Sequence, residues 1–516
     1  MSWMPRLRAI DGYAALVVGA ASLYAAALVI VLFSASWLYS LPLICATVFP
    51  LVLYGSRNPR LFFLFGLAFT APLGLALRFR VHQHMGGAFA VSINLMDFFL
   101  VPLAIFLARD FYLGHRRDLR LSSVSSWWLA LVGLGLYSVA AGPYREMSAL
   151  EILQMLKLWL LFVVIVNECV RERHFHYVLL GLCANLVVNI VVALIQYSIK
   201  GTLGLGPLGE PSDIAALGAN IGVYGENSSV FRVTGLAGHA NLFGPYLAMA
   251  LPVLIGVQFT GYRAPFKLFT AAVAAGSLVC LLLTLSRSAW ASFALAGGAF
   301  MLAVFALPEL RRRYLPLKFA MLAASIVALF VASGTIVRRL TESDPGAFDF
   351  RLELVKIAWN MVAANPLLGV GLNTFDFHID DYGPYSYARL YDVFGEMFPV
   401  VHNIYMIVWS EQGTIGLVAF LAMHASILLI AARNLGYRGL SDRIYMISLG
   451  AACGVLGLML DGFSSFFIKV ETFGRIFWIF VGLIVAAHYW NVRNRPLRAG
   501  GRPAAPGAGK APQESQ

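Results

Sequence analysis

The chain has 516 residues, 59% hydrophobic and 12% charged, with a formal net charge of +12 at pH 7. A soluble domain carries about twice that charged fraction, so a soluble enzyme is excluded, and no basic–aromatic pattern points to nucleic acid. The positive excess suits insertion into a bilayer and contact with anionic headgroups.

Taken in order, apolar runs long enough to cross a bilayer lie near 12–34, 36–54, 61–77, 92–108, 126–141, 150–167, 177–198, 238–258, 267–285, 288–307, 318–336, 403–432, 444–462 and 472–490. They predict an all-α polytopic integral membrane protein with about 14 (12–14) transmembrane helices. The connections inside 12–54 and 267–307 are so short that each pair admits a single, longer element. The first run is too long for a signal-peptide core and lacks a convincing cleavage site, so no cleaved leader is expected. Cys45, Cys169, Cys183, Cys280 and Cys453 lie in or beside apolar runs with no CxxC pair. They read as small hydrophobes, with neither a disulfide framework nor a zinc site.

Charge sets the orientation. With the N-terminus in the cytoplasm, the inner segments hold most of the 38 Lys and Arg residues, including Arg6, Arg8, Arg57, Arg60, the cluster Arg109 to Arg120, Arg171, Arg173, Arg311 to Arg313, Arg433, Arg443 and Arg493. The opposite placement inverts the bias in most short loops. The order is then N-terminal transmembrane helices over 1–198, an outer loop over 199–237, central helices over 238–336, a large outer loop over 337–402, C-terminal helices over 403–490, and a cytoplasmic tail over 491–516. The tail is rich in Gly, Pro and Ala and reads as disordered. Any active site must be built from the two outer loops and the outer helix ends, because no soluble domain of ordinary size fits elsewhere.

Basic and titratable groups converge on that outer side. Arg287 stands in SRSAW (286–290) between two apolar runs. Arg351 opens RLELVKIAW (351–359), an amphipathic helix start with Leu352, Val355 and Trp359 on one side. His402 and Asn403 close the large loop. Arginine beside lipid is costly, and two such forks suit phosphate oxygens. The plainer alternative is that Arg287 snorkels to headgroups and Arg351 pairs with Glu353 or a loop carboxylate. Residue types alone favour that alternative slightly. A lone His402 is more often a helix-start polar residue than a catalyst. His239 and Asn241, in TGLAGHANLFGPYLA (234–248), either line the same cavity or cap a helix. Asp461, at the outer end of its run, is placed to pair with an outer Arg. Asp97 and Lys157 fall inside runs, where an ionisable group is a functional candidate or a structural pair. Asp376, Asp380, Asp381 and Glu396 match no metal loop, and no metal or other cofactor is expected.

In their order, TGLAGHANLFGPYLA, SRSAW, RLELVKIAWNMVAANPLLGVGLNTF (351–375) and HNIYMIVWSEQGTIG (402–416) resemble the O-antigen ligase and polymerase family of bacterial envelope glycosyltransferases. The shared features are an Arg at a span junction, an R-x-E helix start (Arg351, Glu353), a P-x-x-G-x-G turn (Pro366, Gly369, Gly371), and H-N followed by Gly413. They cover about 230–416; residues 1–200 match in hydropathy alone. The resemblance implies a GT-C-like fold in the bacterial inner membrane and a metal-independent, inverting glycosyl transfer on the periplasmic face. The donor would be a glycan on undecaprenyl pyrophosphate, held by Arg287 and Arg351. His402 would activate or orient the acceptor hydroxyl, and His239, Asn241, Glu353 and Asn403 would line the cavity.

The acceptor would be a second lipid-linked glycan in an O-antigen or exopolysaccharide polymerase, with a chain-length regulator as a partner. In a ligase it would be the lipid A core or a protein. Span count and the long outer loop favour the polymerase. A flippase or transporter for lipid-linked sugars is the rival class; it needs polar groups at mid-membrane, where only Asp97 and Lys157 are on offer. An inactive scaffold is the third reading, and it predicts that His402 and both arginines tolerate alanine.

Overall fold

The computed structural model describes residues 58–84, 86–211, 231–306, 347–383, 400–436 and 441–494, with isolated helical residues between 307 and 346. The expected spans 12–34, 36–54 and 318–336, most of the tail and Glu396 lie outside the described residues. The described helices are α1 (Pro59–Thr70), α2 (Asp97–Tyr112), α3 (Ser123–Ala141), α4 (Arg145–Glu168), α5 (Glu172–Ile199), α6 (Ala240–Val257), α7 (Ala264–Leu283), α8 (Arg287–Ala306), α9 (Ala347–Ala364), α10 (Ile404–Leu435), α11 (Asp442–Asp461) and α12 (Glu471–Arg493). Among the described residues, nine of these are long and apolar enough to cross a membrane. The protein is a helical, polytopic membrane protein.

Two expected spans are shorter than hydropathy suggests. The run 61–77 is helical only to Thr70, because Pro72 stops the helix and the chain passes into strand β1 (Ala76–Phe79). Twelve residues reach about 18 Å, well short of a ~30 Å hydrocarbon core. β1 pairs antiparallel with β2 (Val91–Asn94), Ala76 opposite Asn94. The run 92–108 therefore begins in a strand, and α2 starts at Asp97, whose Oδ2 accepts the Asn94 N–H at 2.8 Å.

α6 and α12 are the most enclosed helices. Trp478 of α12 meets Trp128 and Phe162 edge-on, with centroids 4.7 and 5.4 Å apart. α6 and α11 touch along small residues: a Cβ at Gly454 would stand 2.2 Å from the Met249 carbonyl oxygen. Backbones that close replace the hydrophobic drive that helices lack in lipid. Cys169, Cys183, Cys280 and Cys453 are buried and unbridged.

The bundle has two polar end faces. On one, Arg60 joins Asp110 at 2.7 Å and Glu168 at 3.2 Å, and Arg116 joins the same two carboxylates. This ties together the ends of α1, α2 and α4. The opposite face carries the β-hairpin and the loops around 366–383, 400–404 and 462–470. There Lys157 sits 3.2 Å from both Asp97 and Glu471, and Arg475 lies 3.1 Å from Glu471. The intramembrane charges that a transporter would need are thus paired at one end of the bundle.

The same face holds a second buried network. His84, in the hairpin loop, bonds Asp376 through Nδ1 and Asn373 through Nε2, each at 2.8 Å. Asn373 Nδ2 donates to the Ala88 and Met147 carbonyls, and Glu151 accepts the Ala88 N–H at 2.7 Å. Lys469 meets Glu411 at 2.5 Å. Burial opposes the charged His84 ring, but the Asp376 carboxylate outweighs it and raises the pKa.

Candidate functional site

The site is assembled where α6, α8, α9, α10 and α11 end on the loop face. α9 is amphipathic, but its buried side is Phe350, Leu354, Ile357, Ala358 and Met361. Leu352 and Trp359, expected together with Val355, do share a side, and it is the outward one. The buried side packs on Val400, Val401 and Ile407, the residues that flank His402. α9 therefore clamps the segment that carries the histidine.

A backbone stitch fixes α9 against α10. α10 is broken at Gly413, with φ +66° and ψ −170°. A break inside a helix orphans carbonyls before it and amides after it. The turn that follows α9 meets this need: Val370 and Gly371 donate to the Ser410 and Glu411 carbonyls at 2.9 Å, and Thr414 donates to the Pro366 carbonyl at 2.8 Å. The contact is too close for side chains, since a Cβ at Gly369 would stand 2.4 Å from the Glu411 carbonyl carbon and one at Gly413 2.2 Å from Leu367. The P-x-x-G-x-G turn and Gly413 are two halves of one joint.

Asn403 is the N-cap of α10, its Oδ1 accepting the Tyr405 and Met406 amides at 3.0 and 3.1 Å. It holds the helix start. His402, one residue earlier, rests edge-on against Phe466 at 5.4 Å, and its Nδ1 is buried with no hydrogen-bond partner. Burial, then the Arg351 charge, then His239, push its pKa down to about 4, against a pull upward from the Val400 carbonyl. The ring is neutral at pH 7.

His239 is the N-cap of α6, its Nδ1 accepting the Asn241 N–H at 3.0 Å. That bond puts the proton of the neutral ring on Nε2. Burial, Arg232 and Arg351 lower its pKa to about 4. Asn241 is half-buried: its Oδ1 accepts from Arg232 at 2.5 Å, and Arg232 Nε donates to the Thr284 carbonyl at 2.6 Å. The capping reading of His239 is the one the geometry shows, while Asn241 serves to anchor a third arginine.

Arg287 is the first residue of α8, half-buried, after a tight turn in which Leu285 takes φ +51°. Trp290 closes that turn by donating to the Leu281 carbonyl at 2.9 Å. Ser288 lies beside the buried Asp461, whose two carboxylate oxygens have no hydrogen-bond partner among the described residues and on which the Arg351 charge also acts. Arg351, His239, His402 and Asp461 therefore share one electrostatic cluster, and Arg287 adjoins it through Ser288. Glu353 pairs with Lys356 at 2.7 Å. The acidic residues of the large loop are dispersed: Asp376 faces His84 and Asp381 faces His378. Among the described residues no three His, Cys, Asp or Glu side chains form a metal-ligating group.

Sequence reasoning passed over Arg232. The available signal was its place seven residues before His239, on the outer side of the same segment. The cluster can bind an anion between arginines while keeping two imidazoles neutral beside it. The family model described as O-Antigen ligase matches residues 272–421, from within α7 into α10. No curated protein matches the chain.

Proposed function

We propose that this chain, a member of the O-antigen ligase family by its 272–421 segment, polymerises a surface glycan from a lipid-linked donor. The donor is a glycan on undecaprenyl pyrophosphate, and the loop face lies in the periplasm with both chain ends in the cytoplasm. One observation carries the reading: a neutral histidine, His402, stands within the field of Arg351 at the helix end that a backbone joint holds in place.

The chemistry follows from that placement. The acceptor hydroxyl oxygen attacks the anomeric carbon of the donor sugar. The bond from that carbon to the pyrophosphate oxygen breaks, and undecaprenyl pyrophosphate leaves with the electron pair. Arg351 and Arg287 neutralise the charge that grows on the leaving group. His402 takes or orients the hydroxyl proton, while His239 stays a neutral Nε2–H donor beside it. Pyrophosphate is already a good leaving group, so a strong base is unnecessary, and no nucleotide loop is required. The opposite face carries the Arg60 and Arg116 clusters, in keeping with the positive-inside rule.

The long outer loop favours polymerisation; the family description favours the alternative, ligation to lipid A core or protein. Glycan size in a strain lacking the protein separates them. Loss of long chains, with single repeats still attached to the surface acceptor, means polymerase. Long chains stranded on the lipid carrier mean ligase. Unchanged surface glycan in that strain rejects both.

A further inference from the structure

The outward side of α9 borders a groove that the reaction scheme leaves unused. It is an open groove of about 720 Å³ between α9, the one-turn helix Ile379–Tyr382 and the start of α10, a volume within the range of roughly 300–1,000 Å³ typical of ligand clefts. Trp359, Asn360, Glu353, Lys356, Asp381 and Met406 line it. Trp359 is half exposed and stands edge-on to Trp409 at 5.4 Å, so its indole is braced without being covered. Asn360 Nδ2 donates to the Tyr382 carbonyl at 2.9 Å, which leaves its amide oxygen available to accept. The Asp381 side chain is 67% exposed.

The groove lies near the reacting cluster along the chain: Glu353 follows Arg351 by two residues and Met406 follows His402 by four. An aromatic face ringed by amide, carboxylate and ammonium groups of mixed sign matches a sugar: the ring's C–H face stacks, and its hydroxyls both donate and accept. The two partners of the transfer differ in what can hold them. A donor is gripped through its pyrophosphate by arginines. An acceptor offers a neutral hydroxyl and must be held through its sugar rings alone.

The geometry points to this groove as the acceptor-glycan subsite, with Trp359 as its stacking platform. The assignment rests on the glycosyl-transfer reading. The bland alternative is that Trp359 and Trp409 are headgroup-level anchors.

The test uses full-length protein in lipid nanodiscs. The probe is the single-repeat oligosaccharide released by mild acid from the host strain's surface glycan, free of lipid and pyrophosphate. Binding is followed by saturation-transfer NMR and calorimetry. The groove assignment expects wild type and His402→Ala to bind equally. Trp359→Ala should weaken Kd about tenfold and Trp359→Phe much less, as for loss of one aromatic platform. In the transfer assay Trp359→Ala raises the acceptor KM and leaves kcat nearly unchanged. Unaltered binding by Trp359→Ala, with or without reduced membrane abundance, overturns the subsite and leaves an anchoring role. Wild type that transfers glycan but does not bind the oligosaccharide overturns it as well, with the transfer reading intact. Wild type that neither binds nor transfers sinks both.

Discussion

Gly413→Ala tests whether the joint between α9 and α10 organises the site. The backbone at φ +66° and ψ −170° is open to glycine and costs other residues about 1–3 kcal/mol. The added methyl would also stand 2.2 Å from the Leu367 backbone, so the turn must move off. If two of the cross-bonds from Val370, Gly371 and Thr414 are lost, a further ~1–3 kcal/mol goes with them. The expected loss is about 2–6 kcal/mol, taken from the contact that presents Arg351 to His402. Gly298→Ala, in α8, is the control: nothing stands within 4 Å of the position its methyl would take, and stability should hold or rise by up to ~1 kcal/mol. Thermal aggregation of detergent-solubilised protein, read by fluorescence-detected size exclusion, gives stability; glycan length in the complemented strain gives function. Gly413→Ala that melts and transfers like Gly298→Ala would refute the joint's organising role.

Three further outcomes are expected. His402→Ala should insert at normal abundance and lose transfer, and normal glycan at matched abundance removes it from the reaction. Removing the Arg351 charge lets the His402 pKa rise from about 4, so the acid limb of the residual transfer rate in Arg351→Ala moves to higher pH; Arg351→Lys restores the limb but recovers activity only in part, because the fork is gone, and an unmoved limb contradicts the assigned cluster. His84 has a raised pKa beside Asp376. Its ion pair therefore stabilises the protein fully below pH ~6.5 and less as pH rises through the folded pKa. His84→Ala, which leaves Asp376 buried and unpaired, should cost about 3–5 kcal/mol near pH 6, and equal melting of variant and wild type across pH would rule out the charged pair.

Much of this architecture is legible in the sequence because lipid imposes a simple rule on apolar length. The rule failed at 61–77, where hydropathy counts Leu73, Leu75 and Leu77 without knowing that Pro72 has ended the helix, and at 92–108, whose first residues are spent in strand β2. The candidate residues could be named from the order of four motifs. Their partners were not. Arg232 beside Asn241, Ser288 beside Asp461 and His84 beside Asp376 join segments that are distant in the chain or separated by a loop, and no periodicity encodes such encounters. The glycines of the two matching motifs were visible as spacing, yet their meaning, two backbones too close for a Cβ, exists only in three dimensions.

The break in α10 also sets a height. The segment from Thr414 to Leu435 rises about 33 Å at 1.5 Å per residue, enough by itself to cross the ~30 Å hydrocarbon layer. Where that segment fills the layer, the residues from Ile404 to Gln412 stand clear of the acyl chains, and His402 lies roughly 15 Å above the level of Gly413. A headgroup layer is only about 5–7 Å deep on each side, so a histidine at that height stands at its outer edge or beyond it. A longer lower segment would raise the histidine further, and a shorter one would bring it down toward the headgroups. The length of the lower piece thus sets how far His402 stands from the bilayer.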